Sequence, residues 1–127
     1  MKNDLPVLVV EDSFLIAAAL EETLVEAGLK VKVARSVGEA EAMMSQMPFA
    51  AALLDYVLPD GESLPLAQAL HAAGCKVAVV SGIDRGSVPD DDAIAMHFPK
   101  PMDDREVTAW VRQVTGAGAG PQHAAVR

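Results

Sequence analysis

Five residues that could do chemistry recur at equivalent places along the 127-residue chain: Glu11, Asp12, Asp55, Ser81 and Lys100. Each stands at the end of a short apolar run. "PVLVV" (6–10) leads into Glu11-Asp12, and "FAAALL" (49–54) into Asp55. "CKVAVV" (75–80) leads into Ser81-Gly82, and "AIAMHF" (93–98) into Pro99-Lys100-Pro101. Three carboxylates brought together repel, and a protonated form is favoured unless a cation joins them. A hard divalent ion meets that need, because Mg²⁺ takes six oxygens and keeps several waters. Asp12 and Asp55 can each supply one oxygen, Glu11 can hold a coordinated water, and the backbone carbonyl of Val57 can add another. No His/Cys spacing suggests zinc.

With a metal there, the Asp55 carboxylate can attack phosphorus and form an acyl phosphate. Phosphoryl transfer asks for neutralised and positioned oxygens more than for acid–base chemistry. Mg²⁺ would take one phosphoryl oxygen, the Lys100 ammonium a second, and the Ser81 hydroxyl with nearby N–H groups the third.

Such convergence needs a frame. The runs at 6–10, 49–54, 75–80 and 93–98 read as strands, the last the weakest, and "LKVKVA" (29–34) alternates like an edge strand. Helical spacing joins Phe14, Ile16, Ala17, Leu20, Leu24 and Ala27, with Gly28 as a stop. Ser36 and Glu39 form a capping box for a helix over about 37–46. A third helix runs from Ser63 to about His71, with Pro65 early in it. Asp103 and Glu106 cap a last helix with Val107, Trp110, Val111 and Val114 on one stripe. Between Ser81 and Lys100, "IDRGSVPDDDA" has no apolar stripe, which predicts a short or irregular fourth helix. Five strands alternating with helices predict a doubly wound α/β fold: a parallel sheet with helices on both faces. In such sheets the ligand site lies beyond the carboxyl ends of the strands, where all five residues stand.

Composition narrows the function classes. A net charge of -8 disfavours a direct grip on nucleic acid, since no basic run offers counterion release. One cysteine, Cys75, cannot build a disulfide framework, so a reducing cytoplasm is the expected setting. The N-terminal apolar run is too short for a signal peptide, and no segment approaches the ~20 apolar residues of a membrane span.

Taken together, "VLVVED" (7–12), "LLDYVLPDG" (53–61), "VVSG" (79–82) and "FPKP" (98–101) resemble the receiver domains of bacterial two-component response regulators. The resemblance covers about 5–115. It implies a flavodoxin-like sheet of order 2-1-3-4-5 and a receiver domain over 1–115; the Gly- and Ala-rich end, 116–127, reads from its composition as a flexible tail. It implies that Asp55 is the phospho-acceptor, that Glu11 and Asp12 form the acidic metal site, and that Ser81 and Lys100 read the phosphoryl group. It further implies a cis Lys100–Pro101 bond. The donor would be a sensor histidine kinase or a histidine phosphotransfer protein. No output domain follows the last helix in the sequence, so a stand-alone receiver acting on a downstream protein is expected. The last helix is the face for a partner or a weak homodimer.

Departures from the family pattern carry their own expectations. His97 stands three residues before Lys100, where an aromatic switch residue is usual; it reads either as the switch or as an ordinary strand residue. Val57 and Ile83 occupy positions that in the family govern water's access to the acyl phosphate, and both are apolar, which implies slow dephosphorylation. Other residues have plainer readings. Ser81 could be a helix N-cap, and Asp60 and Asp90 to Asp92 read as solvated turn residues. Met43, Met44 and Met96 read as core filler, and His71 and His123 as surface. Two rival functions stand beside the phosphorelay. One is a receiver-like binding module that is never phosphorylated. The other is an aspartate-nucleophile phosphatase of the haloacid-dehalogenase type, against which stands Val57, where those enzymes carry a second aspartate.

Overall fold

The continuous apolar runs become central strands because both their faces are covered. A computed structural model describes residues 5–82 and 88–116. Its elements are β1 (Val7–Val10), α1 (Phe14–Glu26), β2 (Val31–Ala34), α2 (Val37–Met44), β3 (Ala51–Asp55), β4 (Val57–Leu58), β5 (Gly61–Glu62), α3 (Leu64–Ala72), β6 (Lys76–Ser81), β7 (Met96–Pro99) and α4 (Asp104–Thr115). Five strands form one parallel sheet in the order β2-β1-β3-β6-β7, which is the expected 2-1-3-4-5 order. β4 and β5 form a separate antiparallel hairpin, absent from the sequence reading.

Successive strand residues face opposite sides. Leu8, Val10, Ala52, Leu54 and Val77 join one core with Ala40 of α2 and Leu66, Ala67 and Leu70 of α3. Val7, Val9, Ala51, Leu53, Ala78 and Val80 join the other with Leu20 and Leu24 of α1 and Val107, Trp110 and Val111 of α4. Cys75 is buried in the first core, and burial pushes its thiol up to about 12, so it serves as a small apolar residue.

The caps explain where the helices start. Ser13 Oγ accepts the Ile16 N–H at 3.4 Å. Ser36 Oγ accepts the Glu39 N–H at 3.1 Å, and the Glu39 carboxylate reaches back to the Arg35 N–H at 2.8 Å. One carboxylate oxygen of Asp103 takes the N–H groups of Arg105 and Glu106. Gly28 and Gly74 adopt positive φ (+92° each) just past α1 and α3, which glycine does without Cβ strain.

Two expectations are corrected. The buried stripe of α1 is Ala17, Leu20 and Leu24, whereas Phe14 and Ile16 are exposed. Met96 is exposed, since it starts the outermost strand, while Met43 and Met44 do pack against the core. The expected short or irregular fourth helix falls between β6 and β7, where part of the segment lies outside the described residues and the described part, 88–95, is irregular. There Asp91 organises turns: its side chain takes the Ala93 N–H and its carbonyl the Ile94 N–H, both at 2.9 Å. Gln68 of α3 donates to the other Asp91 oxygen at 3.0 Å. Gly116 (φ +80°) caps α4 and is the last described residue; the expected tail, with His123, lies outside the described residues. No described helix is long and apolar enough to cross a membrane.

Candidate functional site

The sheet delivers the expected residues to one rim. Glu11 follows β1, held by its N–H on the Ala34 carbonyl at 3.0 Å. Asp55 is the last residue of β3, paired with Val80. Ser81 ends β6, and Lys100 follows β7. The Lys100 N–H donates to the Ser81 carbonyl at 3.1 Å, so these two residues share one main-chain link. Ser81 is buried at the end of its strand. The Lys100–Pro101 bond is cis.

Lys100 reaches back over the acids. Its ammonium donates to Asp55 Oδ2 at 3.1 Å and lies 3.4 Å from Glu11 Oε1. The other Glu11 oxygen takes the Ser13 N–H at 3.1 Å. One carboxylate oxygen from each of Glu11, Asp12 and Asp55 lies within 4.8 Å of the others. Glu11 and Asp55 are largely buried, while Asp12 is exposed.

Burial raises the Glu11 pKa above the ordinary carboxylate range, and the nearby Asp55 charge adds to the rise; the Ser13 N–H and Lys100 oppose it. Burial works against the Lys100 charge, yet the hydrogen bond and field of Asp55, followed by Glu11, hold its pKa above the usual lysine value. The acid cluster is therefore short of positive charge with one ammonium on it. All three donors are carboxylate oxygens, hard ligands that suit Mg²⁺ and not a thiolate- or imidazole-seeking metal. The residues fit that ion.

The remaining candidates lie around this centre. Val57 begins β4 with its side chain 55% exposed. Ile83 lies outside the described residues. His97 is half-buried on β7, paired with Val79, beside a cavity of about 420 Å³ that Val88, Asp91 and Ile94 help to line. On the other side of Lys100, an apolar cavity of about 600 Å³ is lined by Leu15, Ile16, Leu20, Pro101 and Met102.

Two residues near the site escaped the sequence reading. Asp60 is no free turn residue: its two oxygens take the N–H groups of Val37 and Gly38 at 2.9 and 3.0 Å. Those bonds hold its pKa below the ordinary aspartate value. Arg35 donates to the Asp12 carbonyl at 3.2 Å, and its guanidinium lies over the Phe14 ring, 5.9 Å from its centre. Both contacts join segments more than twenty residues apart, so no local spacing announces them.

A family model for the response regulator receiver domain matches residues 7–112. The chain belongs to that family. It is similar to the receiver domain protein (CheY-like) of Methanospirillum hungatei JF-1, with 26% identity, a TM-score of 0.80, and 88% of this chain and 94% of that one covered. A CheY-like receiver domain from Methylobacillus flagellatus shares 25% identity at a TM-score of 0.76, covering 87% of this chain and 98% of that one. The swarming motility regulation protein RssB of Serratia marcescens is 30% identical over 122 residues, covering 87% of this chain and 54% of the relative. The chain thus spans about half the length of that curated relative. Receiver domains are signalling domains of two-component systems and not, in general, enzymes.

Proposed function

We propose that this receiver domain accepts a phosphoryl group on Asp55 from a histidine kinase or a histidine phosphotransfer protein. The observation that carries the reading is Lys100, whose ammonium spans Asp55 and Glu11 at the rim where Ser81 also ends its strand. An Asp55 oxygen forms the new O–P bond as the donor's P–N bond breaks, and the donor imidazole departs. Glu11, Asp12, Asp55 and the backbone carbonyl of Val57 would hold Mg²⁺, which when bound supplies positive charge to the phosphoryl oxygens. The Lys100 ammonium and the Ser81 hydroxyl serve the oxygens left over.

A protein donor suits the surroundings. Phe14 and Leu15, 65% and 77% exposed, form an apolar patch on the first turn of α1 beside Asp12. Exposed apolar patches of this kind mark protein contact. A net charge of -8 speaks against direct nucleic-acid binding, and output passes to a downstream protein. We assign the domain to the cytoplasm, where histidine kinases present their phosphohistidine.

The test is to incubate the protein with Mg²⁺ and acetyl phosphate and to weigh it. A gain of one phosphoryl group that disappears in Asp55→Asn supports the reading. No gain from acetyl phosphate or from a cognate kinase would leave a pure binding module. Steady turnover of phosphomonoesters would instead make the protein a phosphatase.

A further inference from the structure

The ladder hydrogen bonds of the sheet fix Glu11 and Asp55 and end one residue later, where the Tyr56 N–H donates to the Val80 carbonyl at 2.9 Å. Asp12 lies one residue beyond Glu11, and Val57 belongs to a hairpin outside the main sheet. A cation that demands near-ideal octahedral geometry is sensitive to where such donors stand. The sheet thus anchors the residue on either side of the site, and contacts beyond it complete the setting of these two loops.

The start of α2 touches both of them. Arg35 donates to the Asp12 carbonyl at 3.2 Å, and its guanidinium lies 5.9 Å from the centre of the Phe14 ring, so it grips the segment between β1 and α1. Two and three residues later, the N–H groups of Val37 and Gly38 grip Asp60, in the turn between β4 and β5. The first N–H groups of a helix have no partner within it, and a carboxylate there makes strong charge-assisted bonds. The linking stretch, 35–39, is itself stiffened: Ser36 and Glu39 each hold a main-chain N–H within it. Arg35 and Asp60 touch neither Asp55 nor Lys100 through any bond described, so they act on the acids through loop position and through their own charges. Loss of the Arg35 charge by itself would favour Mg²⁺, opposite in sign to loss of the brace.

We propose that the first turn of α2 is a brace, in which Arg35 and Asp60 act as positioning residues that hold the Asp12 loop and the β4–β5 hairpin at a set separation and so tune the affinity for Mg²⁺. The idea rests on reading the acids as a Mg²⁺ site. A helix cap with a purely structural role would lower stability and leave that affinity alone.

Calorimetric Mg²⁺ titration of the full chain separates the two. Asp60→Ala and Arg35→Gln should each weaken Mg²⁺ binding on the order of tenfold, the lower end for partners outside the direct ligand set. Asp60→Asn keeps one acceptor oxygen and should fall between parent and Asp60→Ala. Releasing either end undoes the same brace, so the double variant should be little weaker than each single one. Amide hydrogen exchange in metal-free protein gives a readout independent of the ion. Asp60→Ala should speed exchange at Ser13, on the loop that Asp60 does not touch. Unchanged Mg²⁺ affinity in variants whose β1 and β3 amides stay protected overturns the proposal, as do additive effects. Should the parent protein bind no Mg²⁺, the metal reading fails by itself, and Ser13 exchange then decides: faster exchange upholds the brace, and unchanged exchange refutes it.

Discussion

The Lys100 ammonium lies 3.1 Å from Asp55 Oδ2, on the oxygen set that a phosphoryl group would need to approach. One lysine thus offsets the Asp55 charge in the resting protein, and under the proposed phosphotransfer it would also meet the phosphoryl group. Lys100→Met should separate these tasks. Mg²⁺ affinity should rise, since the ion no longer competes with an ammonium. The rate of phosphorylation by acetyl phosphate should fall roughly 10²-fold, as when one preorganised donor is lost from a transition state. Rates followed by intact mass check both arms, and a parent-like rate would remove Lys100 from the reaction.

The buried Glu11 carboxyl makes stability depend on pH in a stated direction. Its folded pKa is raised, chiefly by burial, so the native state binds this proton more tightly than the unfolded chain does. Stability tied to Glu11 is therefore full at acid pH and declines as pH climbs from the ordinary carboxylate range through the raised value. Glu11→Gln carries no such loss. In chelator-treated buffer the variant should melt higher than the parent at neutral pH and gain little at acid pH. Added Mg²⁺ should raise the parent's melting temperature and leave the variant's nearly unchanged.

Phe98 and Trp110 meet edge to face, with ring centres 6.1 Å apart and planes at 81°. This contact fastens α4 to β7, the strand that carries Lys100 at its end. Trp110→Ala should cost about 3–5 kcal/mol, the usual range for emptying a large aromatic site. Urea denaturation measures it, and a cost below about 1 kcal/mol would mean that α4 contributes little to the core.

Val57 places an apolar side chain two residues past Asp55. Loss of the phosphoryl group from the isolated, Mg²⁺-loaded protein should be slow, and Val57→Asn should hasten it by offering water a hydrogen-bond partner. Chasing the phosphorylated mass over time gives the lifetime. A half-life of seconds in the unaltered protein would defeat this expectation.

The parts of the fold that were readable in the sequence are those with a strong repeating burden of burial. β1, β3 and β6 announce themselves because each is covered on both faces, and β2 alternates because it lies at an edge. The five site residues were readable because the sheet's topology places every strand's carboxyl end on one rim. α1 was misjudged at its start: its alanines fit any face, so spacing alone put Phe14 and Ile16 inside. The β4–β5 hairpin was missed because two-residue strands have no period to read. Asp60 looked like an ordinary turn acid because its partners, Val37 and Gly38, are more than twenty residues away.

The pairing of Ser81 with Pro99, with the Lys100 N–H on the Ser81 carbonyl, has a practical side. Hydroxyl and ammonium are spaced by the two strands themselves and not by the chain that runs between them. A Cβ at Gly82 would sit 3.5 Å from the Lys100 Cβ, an ordinary van der Waals contact. A peptide tag spliced between Pro89 and Asp90, both exposed, should therefore leave the Ser81–Pro99 register in place.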